Sequence, residues 1–213
     1  MRINVGCGQT PITGWRNFDN SFSVRLAKLP LIPDLMFILK ILNPSQNKFI
    51  QFIRSNKIEF GDVARRLPVS DGSVEVLYCS HMLEHLSSKS VLLFLNEAKR
   101  IVQHDGILRI AVPDIRKQAL KYLKNNDADA FLNKTLLAQP PLDSYIERLI
   151  FLFVGPRQHQ WMYDGKSLCR LLKKTGFVDV RIVPAGKTKI KSPKPLNLFE
   201  RSQESVYVEA KNP

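Results

Sequence analysis

Two groups of residues in this 213-residue chain have types and spacing suited to chemistry. The first is a pair of glycines followed by carboxylates. Ile3 and Val5 begin a short apolar run that stops at Gly6-Cys7-Gly8. Two glycines around one small residue permit a sharp turn with positive φ and a close approach of ligand to backbone. Trp15-Arg16-Asn17-Phe18-Asp19 then reads as a second short strand ending in a carboxylate. Strand, glycine turn and carboxylate is the order in which open α/β sheets hold a ribose: the glycines admit the ligand and the carboxylate accepts from the sugar hydroxyls. Asp62, after Ile58-Glu59-Phe60 and Gly61, is a second carboxylate at a strand end. An ordinary strand-to-loop turn uses the same glycines, so this signal needs support from the rest of the chain.

The second group is His81-Met82-Leu83-Glu84-His85, literally H-x-x-E-H, with His159 in a later aromatic loop. On a helix the two histidines of that motif would lie one turn apart and share a Zn²⁺, with Glu84 as base. Val74 to Cys79 immediately before it reads as a strand, however, which puts His81 in a turn and Glu84 near a helix N-terminus, where its charge is favourable. No metal is therefore assigned, and a zinc hydrolase built on His81, Glu84 and His85 is the remote alternative. His81, and after it His159, are instead candidate general bases, because a histidine titrates near neutral pH. The competing role for His81 is a hydrogen-bonded group that shapes the pocket.

The elements that must position these groups follow from periodicity. Val74–Cys79 is β-branched and mostly apolar, as a buried parallel strand requires. Ser87 or Ser88 caps a helix whose Val91, Phe94, Leu95, Ala98, Ile101 and Val102 recur at three- and four-residue spacing. Asp105-Gly106 ends that element, and Ile107 to Val112 is the next strand. Strand, helix and strand with short loops form a right-handed parallel crossover. Asp164 or Ser167 starts a late helix that ends at Lys173-Lys174-Thr175-Gly176, with cations before a terminal glycine. Phe177–Val183 and Ser205–Ala210 are the last strands. Two stretches fall outside this pattern. Residues 20–33 are proline-punctuated and read as irregular, 34–42 as a short helix and 44–55 as a helix capped by Asn43 with Pro44 at its first position. Residues 115–153 read as helical, with a break at Gln139-Pro140-Pro141.

Net charge is +13 and the pI near 9.8, which invites anionic partners: nucleic acid, acidic lipid or an acidic substrate. The basic residues are spread out, without the aromatic–basic alternation of single-strand binders, so nucleic acid is the weaker partner. Cys7, Cys79 and Cys169 are widely spaced and leave one unpaired in any disulfide scheme, which points to a reducing compartment. The N-terminus lacks an apolar stretch of signal-peptide length, and the apolar windows 29–42 and 146–154 are too short or too interrupted for a membrane span. A cytoplasmic protein without a transmembrane segment is expected. The apolar, basic segment 20–57 is read as a helical insertion packed on its own domain. A lid, a dimer face or a peripheral membrane contact are its other uses.

Taken together, these pieces resemble the class I S-adenosylmethionine-dependent methyltransferases, in particular the small bacterial type 11-like branch often met beside sugar- and envelope-biosynthesis enzymes. Four segments carry the resemblance: Val5-Gly6-Cys7-Gly8 with Gly14 to Asp19; Gly61-Asp62 followed by Leu67-Pro68; Asp71 to Val76 leading into Ser80 to Leu86; and Gly106 to Asp114. The resemblance implies one domain over 1–213, a Rossmann-like α/β fold. Its seven-stranded sheet is mostly parallel with the last strand antiparallel, and helical insertions lie at about 20–57 and 115–155. It implies S-adenosyl-L-methionine at the C-terminal strand ends: Gly6, Cys7 and Gly8 beside its methionine part, Asp19 on the ribose, Asp62 and the Val63 amide at the adenine, Ser80 and His81 bordering the methionine part and the acceptor. Two departures stand out. Gln9-Thr10 occupies the place of the family's third glycine, and the first crossover helix is nearly absent between Gly8 and Trp15.

The implied reaction is in-line transfer of a methyl group to an O or N acceptor on a small molecule or glycan/envelope intermediate. The methyl carbon is already activated, so alignment supplies much of the acceleration, with a base for an acceptor hydroxyl. An RNA-directed methyltransferase, suggested by the charge, and a cofactor-binding protein without catalysis are the alternatives.

Overall fold

The fold was analysed in a computed structural model that describes residues 1–137 and 158–213. Seven strands form one sheet: β1 (Arg2–Val5), β2 (Arg16–Asp19), β3 (Glu59–Phe60), β4 (Val74–Ser80), β5 (Val102–Pro113), β6 (Val178–Val183) and β7 (Ser205–Lys211). Their spatial order is β3-β2-β1-β4-β5-β7-β6. β1 to β5 run parallel, and β7 is antiparallel to both of its neighbours, β5 and β6. This is the expected sheet. The strand order turns around at β1, so the C-terminal ends of β1 and β4 lie side by side, where open α/β sheets bind their ligands.

Ile3, Val5, Leu77, Cys79, Leu108 and Ile110 are fully buried. They pack against α4 (Ser88–Ile101) through the expected stripe Val91, Phe94, Leu95, Ala98 and Ile101. Ser87 accepts from the Ser90 amide at 3.2 Å and caps this helix. α5 (Ile115–Asn125) and α6 (Ala128–Thr135) follow β5, capped by Asp114 and Asp127. The expected continuation of this insertion to 155, including the break at 139–141 and the apolar window 146–154, lies outside the described residues. α7 (Gly165–Lys174) starts at Asp164, whose side chain and that of Ser167 bond each other's backbone in a capping box.

Two expectations need correction. Residues 20–33 are not irregular: α1 (Phe22–Ala27) and α2 (Ile32–Ile38) lie across them, and α2 ends before Leu42. The prolines punctuate rather than prevent the helices, since Pro30 falls between the two and Pro33 sits in the first turn of α2, where no amide donor is needed. α3 (Pro44–Asn56) is as expected, with Asn43 and Gln46 forming a capping box. Second, Asp105-Gly106 does not separate α4 from the strand. β5 already begins at Val102, with Asp105 in the left-handed region (φ 60°) and a slip in the pairing between Val74 and Val76. The first crossover carries no helix, as expected from the short span between Gly8 and Trp15, and a side-chain network takes its place. Asn17 Oδ1 accepts from the Ile12 amide at 2.7 Å and from Asn4 Nδ2 at 3.1 Å. Asn17 Nδ2 donates to the carbonyls of Ile12 and Trp15, both at 3.0 Å. Two buried asparagines thus satisfy the backbone of a loop that a helix would otherwise have satisfied itself.

Candidate active site at the strand ends

The turn after β1 has the conformation its glycines allow: φ is +64° at Gly6 and +48° at Gly8. The two differ in surroundings. A Cβ on Gly6 would lie 2.6 Å from Met82 Cγ, whereas one on Gly8 would meet nothing within 4 Å. The turn is therefore packed on one side and open on the other. Asp19, at the end of β2, faces it. Its Oδ2 accepts from the Gly8 amide at 3.0 Å and its Oδ1 from the Ser21 amide at 2.8 Å. Each oxygen of an ionised carboxylate has a second lone pair, so both keep accepting capacity. Cys7 between the glycines is buried, and its cluster includes Val24 of α1 and Ile53 of α3. The 20–57 insertion therefore packs directly behind the glycine turn. Burial, then the nearby charge of Asp19, push the Cys7 thiol up to about 12. It is neutral at physiological pH and acts as a small apolar group.

Asp62 follows β3. Its Oδ1 accepts from the Ala64 amide at 3.0 Å, and its Oδ2 lies 3.4 Å from Arg65. Val63 beside it is buried. Ser80 closes β4, and its buried hydroxyl has no hydrogen-bond partner among the described residues. An unpartnered hydroxyl at this strand end, an open face on Gly8 and spare acceptor capacity on Asp19 fit a polar nucleoside ligand, which would satisfy all three.

His81 comes next, in the left-handed region (φ 50°). Its Nε2 lies 2.7 Å from Ser205 Oγ and its Nδ1 3.3 Å from Glu84 Oε1, so both ring nitrogens face protein groups. Leu83–His85 is a single 3₁₀ turn rather than an α-helix. The helical premise of the H-x-x-E-H zinc site is therefore not met. A different trio is brought together instead: ligand atoms of Glu84, His85 and His159 lie within 4.8 Å of one another. His159 is buried, with Nε2 3.9 Å from Glu84 Oε1 and Nδ1 3.2 Å from Met162 Sδ. Burial lowers its pKa, against the opposing charge of Glu84, so it is neutral near pH 7. Sequence reasoning placed His159 in a loop but had no signal for its contact with Glu84. It also missed Ser205, which reaches His81 from β7 on the antiparallel side of the sheet.

The strand order, the glycine turn and the carboxylate at the next strand end define a class I methyltransferase. A family model described as a methyltransferase domain matches residues 15–182, well over half of the chain, and the chain belongs to that family. It is an S-adenosylmethionine-dependent methyltransferase, with S-adenosyl-L-methionine as its cofactor. The Gly6–Gly8 turn precedes the matched range. Among curated protein sequences, none matches this chain. Solved structures do resemble it in fold. A SAM-dependent methyltransferase of Thermotoga maritima, described as a possible histamine N-methyltransferase, is 13% identical with a TM-score of 0.51, over 99% of this chain and 81% of that one. A SAM-dependent methyltransferase of Archaeoglobus fulgidus is 13% identical at 0.50, over 98% and 84%. A Pyrococcus horikoshii protein is 13% identical at 0.50, over 100% and 83%.

Proposed function

We propose that the chain is one methyltransferase domain that moves a methyl group to an oxygen or nitrogen of a small molecule or a glycan/envelope intermediate. The observation that carries this reading is Asp19 bonded to the Gly8 amide beside the open face of that glycine, at the turn of the strand order. When bound, the cofactor supplies an electrophilic methyl on a sulfonium. The work left to the chain is to bind, align and exclude water. Gly6, Cys7 and Gly8 give it room beside the methionine part, and Asp19 accepts from the ribose hydroxyls. Asp62 and the Val63 amide meet the adenine, and the Ser80 hydroxyl donates to or accepts from the methionine part. His81 borders the acceptor. Ser205 holds its ring through Nε2, which leaves Nδ1, without a hydrogen-bond partner among the described residues, as the nitrogen that would receive the proton of an acceptor hydroxyl. His159 is the weaker candidate base, because it is buried and directed at Glu84.

The insertion supports a second reading about partners. Leu31 is 79% exposed and Ile38 74%, within a run of exposed apolar side chains from Leu29 to Ile41. Lys28 directly precedes that run and Lys40 lies within it. Apolar side chains rimmed by cations match the interface of an anionic membrane. Among the described residues no helix is long and apolar enough to cross one. The insertion accordingly rests on the surface of the membrane, which would bring a lipid-linked acceptor to the site.

Calorimetry with S-adenosylmethionine and S-adenosylhomocysteine tests the core of this reading. The expected result is one site per chain for each, lost in Asp19→Ala. No binding of either would overturn it. Screening acceptors against release of S-adenosylhomocysteine then tests the substrate class.

A further inference from the structure

Glu84 is only 1% exposed, yet among the described residues neither carboxylate oxygen has a hydrogen-bond donor in bonding geometry, His81 Nδ1 only approaching Oε1 at 3.3 Å. A buried carboxylate left this way is costly unless a cation or donors reach it. The surroundings provide nitrogen ligands instead. The loop at 158–161 is fastened onto the 3₁₀ turn. The amides of Gln160 and Trp161 donate to the Glu84 carbonyl at 2.7 and 3.2 Å, and Gln160 Nε2 donates to the His85 carbonyl at 2.8 Å. The His159 amide donates to the Leu136 carbonyl at 3.1 Å, which anchors that loop from the other side.

The His85 imidazole is held in one tautomer. His85 Nδ1 lies 3.2 Å from the Gln158 carbonyl, which can only accept, so Nδ1 carries the proton and Nε2 keeps its lone pair. His159 Nδ1 faces the Met162 sulfur at 3.2 Å, a weak acceptor, and its Nε2 lies 3.9 Å from Glu84 Oε1. A ring nitrogen that donates to a carbonyl or similar acceptor while the other is left bare is the arrangement of metal-binding histidines. The two rings meet edge to face at 5.0 Å.

We propose that Glu84, His85 and His159 bind a divalent first-row transition-metal ion. Two imidazoles and one carboxylate select such an ion over Mg²⁺ or Ca²⁺, which prefer all-oxygen sites. Three protein ligands leave a coordination position open for water or an oxygen of a bound molecule. The ligand atoms, within 4.8 Å of one another, close by a small side-chain movement onto bonds of about 2.0–2.2 Å. The site is not the helical H-x-x-E-H arrangement: His81 lies outside the trio and is engaged by Ser205. It does not depend on the methyl-transfer reading, since none of its three ligands lies in the glycine turn or at Asp19.

The test is metal binding by the whole chain. Protein stripped with a chelator and dialysed is titrated with Zn²⁺ and, separately, with Co²⁺, whose visible absorption reports coordination number and nitrogen ligation. Metal content is measured by mass spectrometry. One ion per chain is expected, with a four- or five-coordinate Co²⁺ spectrum and a rise in Tm on metal addition; Mg²⁺ gives neither. His159→Ala and His85→Gln should each weaken Co²⁺ binding by at least tenfold, about the loss caused by removing even a ligand's supporting group. S-adenosylhomocysteine binding, unchanged in His85→Gln, shows that this variant is folded and carries the result if His159→Ala does not fold. A stripped protein that takes up no Zn²⁺ or Co²⁺, or variants that keep the parent spectrum and affinity, would overturn the site and leave a hydrogen-bonded histidine cluster.

Discussion

The Gly8 amide donates to Asp19 Oδ2 at 3.0 Å, which ties the turn after β1 to the end of β2. The same carboxylate that reads as a ribose ligand thus also holds the glycine turn. Removing it should open the site and loosen the turn together. A charge-assisted hydrogen bond is worth about 1.5–3 kcal/mol, so Asp19→Asn should weaken S-adenosylhomocysteine binding roughly tenfold to a hundredfold in calorimetry. Asn keeps one acceptor oxygen, so Asp19→Ala should do worse.

The two glycines should fail differently. Gly6→Ala strains a positive φ and drives a methyl into Met82, so it should cost about 1–3 kcal/mol and lower Tm by several degrees. Gly8→Ala meets open space and carries only the backbone strain of roughly 1 kcal/mol. Its methyl would project into the face proposed for the cofactor, so affinity should fall more than stability. Thermal melts with and without S-adenosylhomocysteine separate the two.

Arg109 is fully buried beneath the sheet's antiparallel edge, 2.5 Å from Glu209 Oε1 across the β5–β7 pair. Glu209 also accepts from Thr188 Oγ1 and, at 2.9 Å, from the Lys189 amide, which pins the lysine-rich loop to the sheet. Glu209→Ala leaves a buried guanidinium uncompensated and should cost about 3–5 kcal/mol. Replacing both partners with apolar residues should recover much of that in denaturant melts, because the desolvation cost leaves with the charges.

Alkaline stability should decline before most lysines titrate. Cys7 and Tyr163 are each pushed up to about 12, first by burial, and burial also raises Cys79. A raised native pKa favours the protonated form in the folded state. Its contribution is complete below the unfolded value, near 9 for a thiol, and is lost as pH rises toward the native one. Tm should fall between pH 9 and 11, with a shallower slope in Cys7→Ala.

The exposed apolar run of the insertion predicts co-sedimentation with vesicles containing phosphatidylserine and little with phosphatidylcholine alone. Leu31→Ser with Ile38→Ser should abolish it without lowering Tm, since both side chains are already in solvent. Concentration-dependent self-association that disappears in the same variant would instead assign the face to a second copy.

The alternating sheet and the amphipathic α4 were legible because strand and helix periods are written locally, residue by residue. So were the Asn43, Ser87 and Asp164 caps, which act within three residues. The glycine turn and the carboxylate at position 19 were legible for the same reason, as a pattern confined to fewer than twenty residues. α1 and the first turn of α2 fall in the stretch that reads as irregular, because Pro30 and Pro33 look like breakers until the first turn of α2 is located.

What the tertiary structure alone decided are contacts between distant segments. Asn17 substitutes for a crossover helix, Ser205 of β7 meets His81, Arg109 finds Glu209, and His159 faces a glutamate that sits in a turn more than seventy residues earlier. The buried carboxylate of Glu84 carries no mark in the linear order, because spacing encodes which side of an element a residue takes and not what the fold later places opposite it. The sheet and the carboxylate beside the glycine turn belong to the sequence by itself; the cluster of His85 and His159 around Glu84 exists only once the turn after β4 and the 158–161 loop have been packed together.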